Sequence, residues 1–329
     1  MNHRERIESC LSGQKPDRVP VALWRHFPVD DQSPDALASA TAHFQREYDF
    51  DLIKVTPASS FGLKDWGVTD AWKGNPEGTR DYQTWVIHSP EDWERIPVLD
   101  PTKGFLGAQL ECLRLLYAEF GSQVPILQTV FSPLSQLRHL VAPGQLAVHL
   151  HQYPEAVEAG LQRVTETTLR FIQEASKTGI AGIFYAVQNA QYSLHSVEEF
   201  NRFGKTYDLR VLSSAQSLWL NLLHLHGEDL MFSACLDYPV QIVNWHDRQT
   251  PPTLSAAQEM FKGVVCGGIR QWETMVLGSP EEVTAEALDA IAQTSGRRFI
   301  LGTGCVVPIT APYGNLLAAR NAVERTTAG

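Results

Sequence analysis

No run of apolar residues in the 329-residue chain reaches the ~20 needed for a helix to span a bilayer. The N-terminus, Met1-Asn2-His3-Arg4-Glu5-Arg6, opens a polar helix and lacks the apolar stretch of a secretory signal. Positive charge is scarce: 27 Lys and Arg stand against 37 Asp and Glu, a formal net charge of −10. That balance argues against a nucleic-acid partner, which demands a basic surface. Cysteine is sparse too. Cys10, Cys112, Cys235, Cys266 and Cys305 are odd in number and scattered, which excludes a disulfide framework and fits reduced thiols in a cytoplasm. A dinucleotide fold would place Gly-x-Gly-x-x-Gly after its first strand; here that position holds Arg25-His26-Phe27-Pro28.

What is present suits a globular enzyme with a large core: 43% hydrophobic and 19% charged residues. Eight apolar stretches alternate with helical periodicity. The expected strands are 19–24, 51–56, 125–131, 182–187, 220–227, 240–245, 263–269 and 298–302. Helices are expected over 3–12, 34–48, 104–120, 133–141 and 154–177, with a capping box at Ser196-Val197-Glu198-Glu199 and a capped start at Ser279-Pro280-Glu281-Glu282. This alternation predicts an α/β fold, a single (β/α)8 TIM barrel covering 1–329. Residues 58–124, rich in Trp, Gly, Asp and Pro, interrupt the pattern after the second strand. They are expected to form an elaborated loop over the barrel mouth.

The most informative stretch is Leu220-Asn221-Leu222-Leu223-His224-Leu225-His226-Gly227. Side chains alternate along a strand, so Leu222, His224 and His226 share one face, and Leu223 and Leu225 the other. Two imidazoles two residues apart at the carboxyl end of a barrel strand can grip one metal ion. Cys305, at the tip of the last strand, stands at the same mouth. Imidazole and thiolate suit zinc, and three protein ligands leave one position open for chemistry. The competing reading makes these hydrogen-bonding histidines and a small core cysteine. The other strand tips collect Arg25, Thr56, Gln188, Asn189, His246 and Asp247. His246 and Asp247 could orient a ligand imidazole, add a ligand or move protons, or Asp247 could simply cap a turn. Arg25 could hold a carboxylate or form a structural ion pair. His139, His149, His151 and His195 lack a supporting pattern and are assigned to the surface.

Several segments together resemble the uroporphyrinogen decarboxylase superfamily, which also holds zinc-dependent, often corrinoid-linked methyltransferases. They are Gly13 through Arg25, Leu223-His224-Leu225-His226-Gly227, Gly267-Gly268-Ile269, Leu277 through Val283, and Leu301-Gly302-Thr303-Gly304-Cys305-Val306-Val307-Pro308. The resemblance implies a barrel, and often a homodimer. True decarboxylases of the superfamily continue from the arginine matching Arg25 into Gln-Ala-Gly-Arg, where this chain has His26-Phe27-Pro28-Val29. Their catalytic aspartate falls near Thr56-Pro57, their active-site tyrosine at about His139, and their Gly-His-Gly at Gly302-Thr303-Gly304. Lacking that aspartate, the chain is not expected to decarboxylate a heme precursor.

The methyltransferase branch binds zinc through His-x-Cys and a later Cys. His224 matches the first ligand and Cys305 the last, while His226 replaces the middle cysteine. The resemblance thus implies a cytoplasmic zinc methyltransferase with ligands His224, His226 and Cys305 acting on a small thiol-like substrate. Arg25, Gln188, Asn189 and Thr56 would position that substrate, with His246 or Asp247 handling protons. The corrinoid would come from a partner protein or from solution, because the chain carries no Asp-x-His-x-x-Gly cobalamin motif. The alternatives are a decarboxylase of a small or tetrapyrrole acid, with Arg25 on the carboxylate, and a non-catalytic barrel binding a tetrapyrrole or corrinoid.

Overall fold

In the computed structural model, which describes residues 1–121 and 123–326, the strands in chain order are β1 (Ile53–Val55), β2 (Asp70–Ala71), β3 (Asp81–Tyr82), β4 (Ile126–Phe131), β5 (Gly182–Val187), β6 (Leu222–Leu225), β7 (Ile242–Trp245), β8 (Val264–Ile269) and β9 (Phe299–Thr303). Seven of them make one parallel sheet ordered β1-β4-β5-β6-β7-β8-β9, each strand paired with its successor. The first expected strand, 19–24, is reduced to a single bridge between Val21 and Leu301. Pro20 explains this, since proline has no N–H to give to a ladder. The segment still closes the ring. Leu301 N donates to Pro20 O at 2.8 Å and Ala22 N to Leu301 O at 2.9 Å, while on the other side Asp51 N donates to Val21 O at 2.8 Å. The architecture is a TIM barrel.

Alternation sorts the strand side chains as expected. Leu222 joins an inner core with Ala22, Trp24 and Phe184, and Leu223 and Leu225 belong to the outer core under the helices. The floor of the barrel is closed by the helix His3–Leu11, held at its start by an Asn2/Glu5 capping box. Its Ile7 and Cys10 are buried in the inner core. The five cysteines are all free. No helix among the described residues is long and apolar enough to cross a membrane.

The 58–124 excursion is more ordered than its composition suggests. It contains the antiparallel β2–β3 hairpin and the helix Gly104–Phe120. Its Leu63, Val68, Ile87 and Trp93 share a core with the helices Pro133–Leu140, Gln145–Gln152 and Pro154–Ser176. The middle one of these helices was not expected. Its His149, expected at the surface, is buried and accepts the Trp93 indole N–H at 2.9 Å. His139 and His195 also find partners, His139 stacking on Tyr82 at 4.3 Å and His195 lying 3.2 Å from the Asn189 amide. The excursion also crosses the mouth: Ile309 N donates to Pro76 O, and Gly78 lies against His26 where a Cβ would come within 2.4 Å of that ring's own Cβ.

The seam between 19–24 and β1 rests on Asp51, whose side chain is fully buried. Its carboxylate accepts from Arg6 Nη1 at 2.7 Å, Arg18 Nη1 at 2.6 Å and Val21 N at 2.8 Å, with His3 Nδ1 at 3.0 Å. Burial alone would push its pKa up, but the His3 contact and the Arg18 charge outweigh it and hold the value at about 2. Removing the carboxylate takes from Arg6 and Arg18 their buried partner and leaves each only a part-exposed one, Asp17 and Glu324. Asp51→Ala should therefore lose about 3–5 kcal/mol of stability in urea unfolding at neutral pH. Because the folded value lies below the unfolded value of roughly 3.9, the stabilisation is complete above about pH 4 and is lost as pH falls through about 2. The variant's deficit should shrink across that acidic window.

Candidate metal centre

β6 carries His224 on its inner face, next to the ring of Phe184 at 5.3 Å. The strand is held at its start by Asn221, which accepts from Ile183 N at 3.1 Å and donates to Ala215 O at 2.9 Å. His226 follows the strand and gives its N–H to Val187 O at 2.9 Å. Gly227, at φ 106°, then turns the chain away in the left-handed region, where a side chain would also strike Gln191. A second glycine delivers the thiol. A Cβ on Gly304 would sit 2.7 Å from His246 Cα, so only glycine lets the chain leave β9 beneath the tip of β7 and present Cys305.

His224, His226, His246 and Cys305 bring their ligand atoms within 4.8 Å of one another. Cys305 Sγ lies 3.6 Å from His224 Nε2 and 3.7 Å from His226 Nδ1. A tetrahedral zinc site, with Zn–N of about 2.0 Å and Zn–S of about 2.3 Å, requires N···S separations of roughly 3.5 Å. The donor set and its spacing therefore fit the ion. His246 Nε2 is buried without a hydrogen-bond partner.

Asn244 on β7 fixes which nitrogen of His224 is free. Its Nδ2 donates to Cys266 O at 2.9 Å and Thr303 O at 3.0 Å, so its Oδ1, 2.7 Å from His224 Nδ1, must be an acceptor. The proton of His224 then sits on Nδ1, and the Nε2 lone pair faces Cys305. Burial pushes the His224 pKa far down, helped by the nearby His226 and His246, and burial lowers that of His226 as well. Both imidazoles are therefore held neutral, the form that binds metal.

The other expected residues divide. His246 joins the cluster. Asp247 does not: its buried Oδ1 accepts from Gly268 N at 3.0 Å and ties the tips of β7 and β8, with burial raising its pKa to about 7. Thr56 faces the barrel interior and accepts from Lys54 Nζ at 3.2 Å. Gln188 and Asn189 sit at the tip of β5, where Ser135 Oγ accepts from Gln188 N and donates to Asn189 Oδ1. Arg25 stands apart, its guanidinium 5.3 Å from the rings of Phe27 and Phe44 on the helix side of the wall.

Three contributors were not foreseen. Asn244 is one. Lys54 is another, fully enclosed 4.5 Å above Phe184, its pKa brought down to about 7 by burial against an upward pull from Cys305. The third is Glu77 of the excursion, which raises the His226 pKa and accepts from Gln271 Nε2 at 3.0 Å and Trp272 Nε1 at 3.1 Å. The pattern alternating Ile53, Lys54 and Val55 could have flagged Lys54, as the one polar residue inside an apolar strand.

If Asn244 orients His224 for a metal, Asn244→Ala should weaken zinc binding by about 10–100-fold. Competition against a chromophoric chelator reads this directly, and unchanged affinity would show that the hydrogen bond serves packing alone.

The chain matches the uroporphyrinogen decarboxylase (URO-D) family over residues 2–326. A methylcobamide:CoM methyltransferase MtbA of Methanosarcina acetivorans is 21% identical over 336 residues, 95% of this chain and 95% of the relative. A uroporphyrinogen decarboxylase of Rhodococcus opacus is 26% identical over 242 residues, 69% of this chain and 65% of the relative. Among solved structures, a methyltransferase from Methanosarcina mazei shares the fold with a TM-score of 0.87 at 18% identity, over 100% of both chains. With the family match taking in almost every residue, the chain belongs to the uroporphyrinogen decarboxylase (URO-D) family.

Proposed function

We propose that this protein is a zinc-dependent methyltransferase that moves a methyl group to or from the sulfur of a small thiol-like substrate. A corrinoid carried by a partner protein is the other methyl carrier. The observation that carries the reading is the placement of Cys305 Sγ within 3.7 Å of two imidazole nitrogens, one of them aimed by Asn244. The likeness to a methylcobamide:CoM methyltransferase along 95% of the chain supports the same reaction class.

His224, His226 and Cys305 would hold the ion, which when bound polarises a substrate thiol and keeps it as thiolate at neutral pH. His246 stands beside them with an unpartnered nitrogen, suited to fill the fourth position in the resting site or to hold the thiol's proton. Lys54 and Thr56 line the inner wall, and Asp247 keeps the His246 loop in place through Gly268. Gln188 and Asn189 present polar groups at the next strand tip. Decarboxylation with Arg25 on the substrate carboxylate is disfavoured, because that guanidinium lies among Phe27 and Phe44.

Metal analysis of the purified protein should find about one zinc per chain. The double variant His224→Ala/His226→Ala should lose it while keeping its far-UV circular dichroism. With methylcobalamin and a panel of small thiols, the wild type should demethylate the corrinoid, followed by its absorbance, and the double variant should not. A wild type that takes up no zinc would end the reading, as would thiol methylation undiminished in the double variant.

A further inference from the structure

A cavity of about 660 Å³ lies between the excursion, the helices Pro133–Leu140 and Pro154–Ser176, and the tips of β4 and β5. Its size falls inside the roughly 300–1,000 Å³ of pockets that enclose drug-sized ligands, far more than a small thiol fills. None of His224, His226, His246 or Cys305 lines it. It nevertheless adjoins them. Gln188, in its wall, directly follows Val187, whose carbonyl takes the His226 N–H. Arg138, also in its wall, lies near enough to His226 to disfavour that ring's protonated form.

The walls are strongly aromatic. Phe61 and Phe171 meet at 5.7 Å between centroids, Trp85 and Phe131 add further apolar surface, and the His139 ring lies flat on Tyr82 with 9° between planes. Burial lowers the His139 pKa to about 4, so this ring is neutral at pH 7. The cations divide sharply. Arg80 is taken up by Asp70 at 2.7 Å and Asp31 at 3.2 Å, and Lys73 is 3.7 Å from Asp81. Arg138 is exposed and has no acceptor among the described residues. The cavity therefore presents flat apolar walls and one uncommitted guanidinium, whose paired N–H groups match a carboxylate.

We propose that this cavity binds an aromatic carboxylate of one or two rings, its ring against the aromatic walls and its carboxylate on Arg138. Such a molecule, carrying in addition the thiol or methylthio sulfur on which the methyl group is exchanged, is the organic substrate served by the neighbouring metal centre. That role rests on the methyltransferase reading; the binding does not.

Calorimetry on the zinc-loaded protein tests it with 2-naphthoate and its uncharged counterpart 2-naphthalenemethanol. In Arg138→Met, naphthoate should bind at least about tenfold more weakly, as the loss of a charged hydrogen bond implies, with the alcohol unaffected. Thr79→Trp, which fills the cavity from its half-buried rim, should abolish both. Naphthoate should still bind His224→Ala/His226→Ala. The proposal is overturned by no naphthoate binding up to about 1 mM, by binding that survives both cavity variants, or by binding lost with the metal ligands, which would put the carboxylate on the ion. Zinc content is read separately, so a metal-free wild type that binds naphthoate overturns the methyltransferase reading and supports the cavity assignment.

Discussion

The 2.7 Å hydrogen bond between His224 Nδ1 and Asn244 Oδ1 is the constraint on which the rest of the site depends. Asn244 cannot flip without setting its amide oxygen against two backbone carbonyls. Those carbonyls, Cys266 O and Thr303 O, belong to β8 and β9. The tautomer of one imidazole on β6 is thus dictated by three further strands of the barrel. A loop could not do this, because its backbone would yield; a sheet whose strands are paired on both sides does not.

The two ends of the barrel divide the work. At the amino ends of the strands, Asp51 gathers Arg6, Arg18 and His3 around the seam where the ring closes, and the first helix seals the floor. At the carboxyl ends the strands give way to Gly227 and Gly304, and polar groups converge. Charge pairing at the floor is complete: each oxygen of Asp51 accepts more than one hydrogen bond. At the mouth it is left incomplete, with His246 Nε2 unpartnered and Lys54 lacking a carboxylate among the described residues. Buried polar groups without partners are rare in folded chains and cluster where a ligand completes them.

Much of this was legible in the sequence because it is periodic. The two-residue alternation of Leu222 to Leu225 fixed the inward face of His224, and the strand–helix rhythm fixed a barrel in which residues 224 and 305 share a mouth. The resemblance to the methyltransferase branch singled out His224, His226 and Cys305, whose side chains the fold brings together. What escaped notice is non-local. Asn244 looks like an ordinary polar residue at a strand tip until its neighbours β8 and β9 are in place. The charge of Glu77 is felt at His226 only because the excursion folds back across the mouth. Arg25 failed for a simpler reason, one of parity. Val21 and Leu23 point into the outer core, so Arg25, two residues on, follows them towards the helices.

The substitution of His226 for a cysteine also acquires a physical meaning from its surroundings. A divalent ion held by two neutral imidazoles and one thiolate keeps a net charge of about +1. The enclosed amine of Lys54 adds to this whenever it is protonated, and Arg138 extends the positive field outward from His226. Against these, Glu77 is the carboxylate that acts on His226. A second cysteine would cancel the ion's residual charge and leave only Lys54 and Arg138 to favour an anionic guest. With histidine there and the proposed ion bound, the enclosed and weakly screened interior would favour an anion over a neutral molecule of the same shape. The chain as a whole carries −10, so in the proposed zinc-loaded site the local reversal of sign would come from the ion together with Lys54 and Arg138, and it would make a thiolate easier to hold there than the thiol from which it forms.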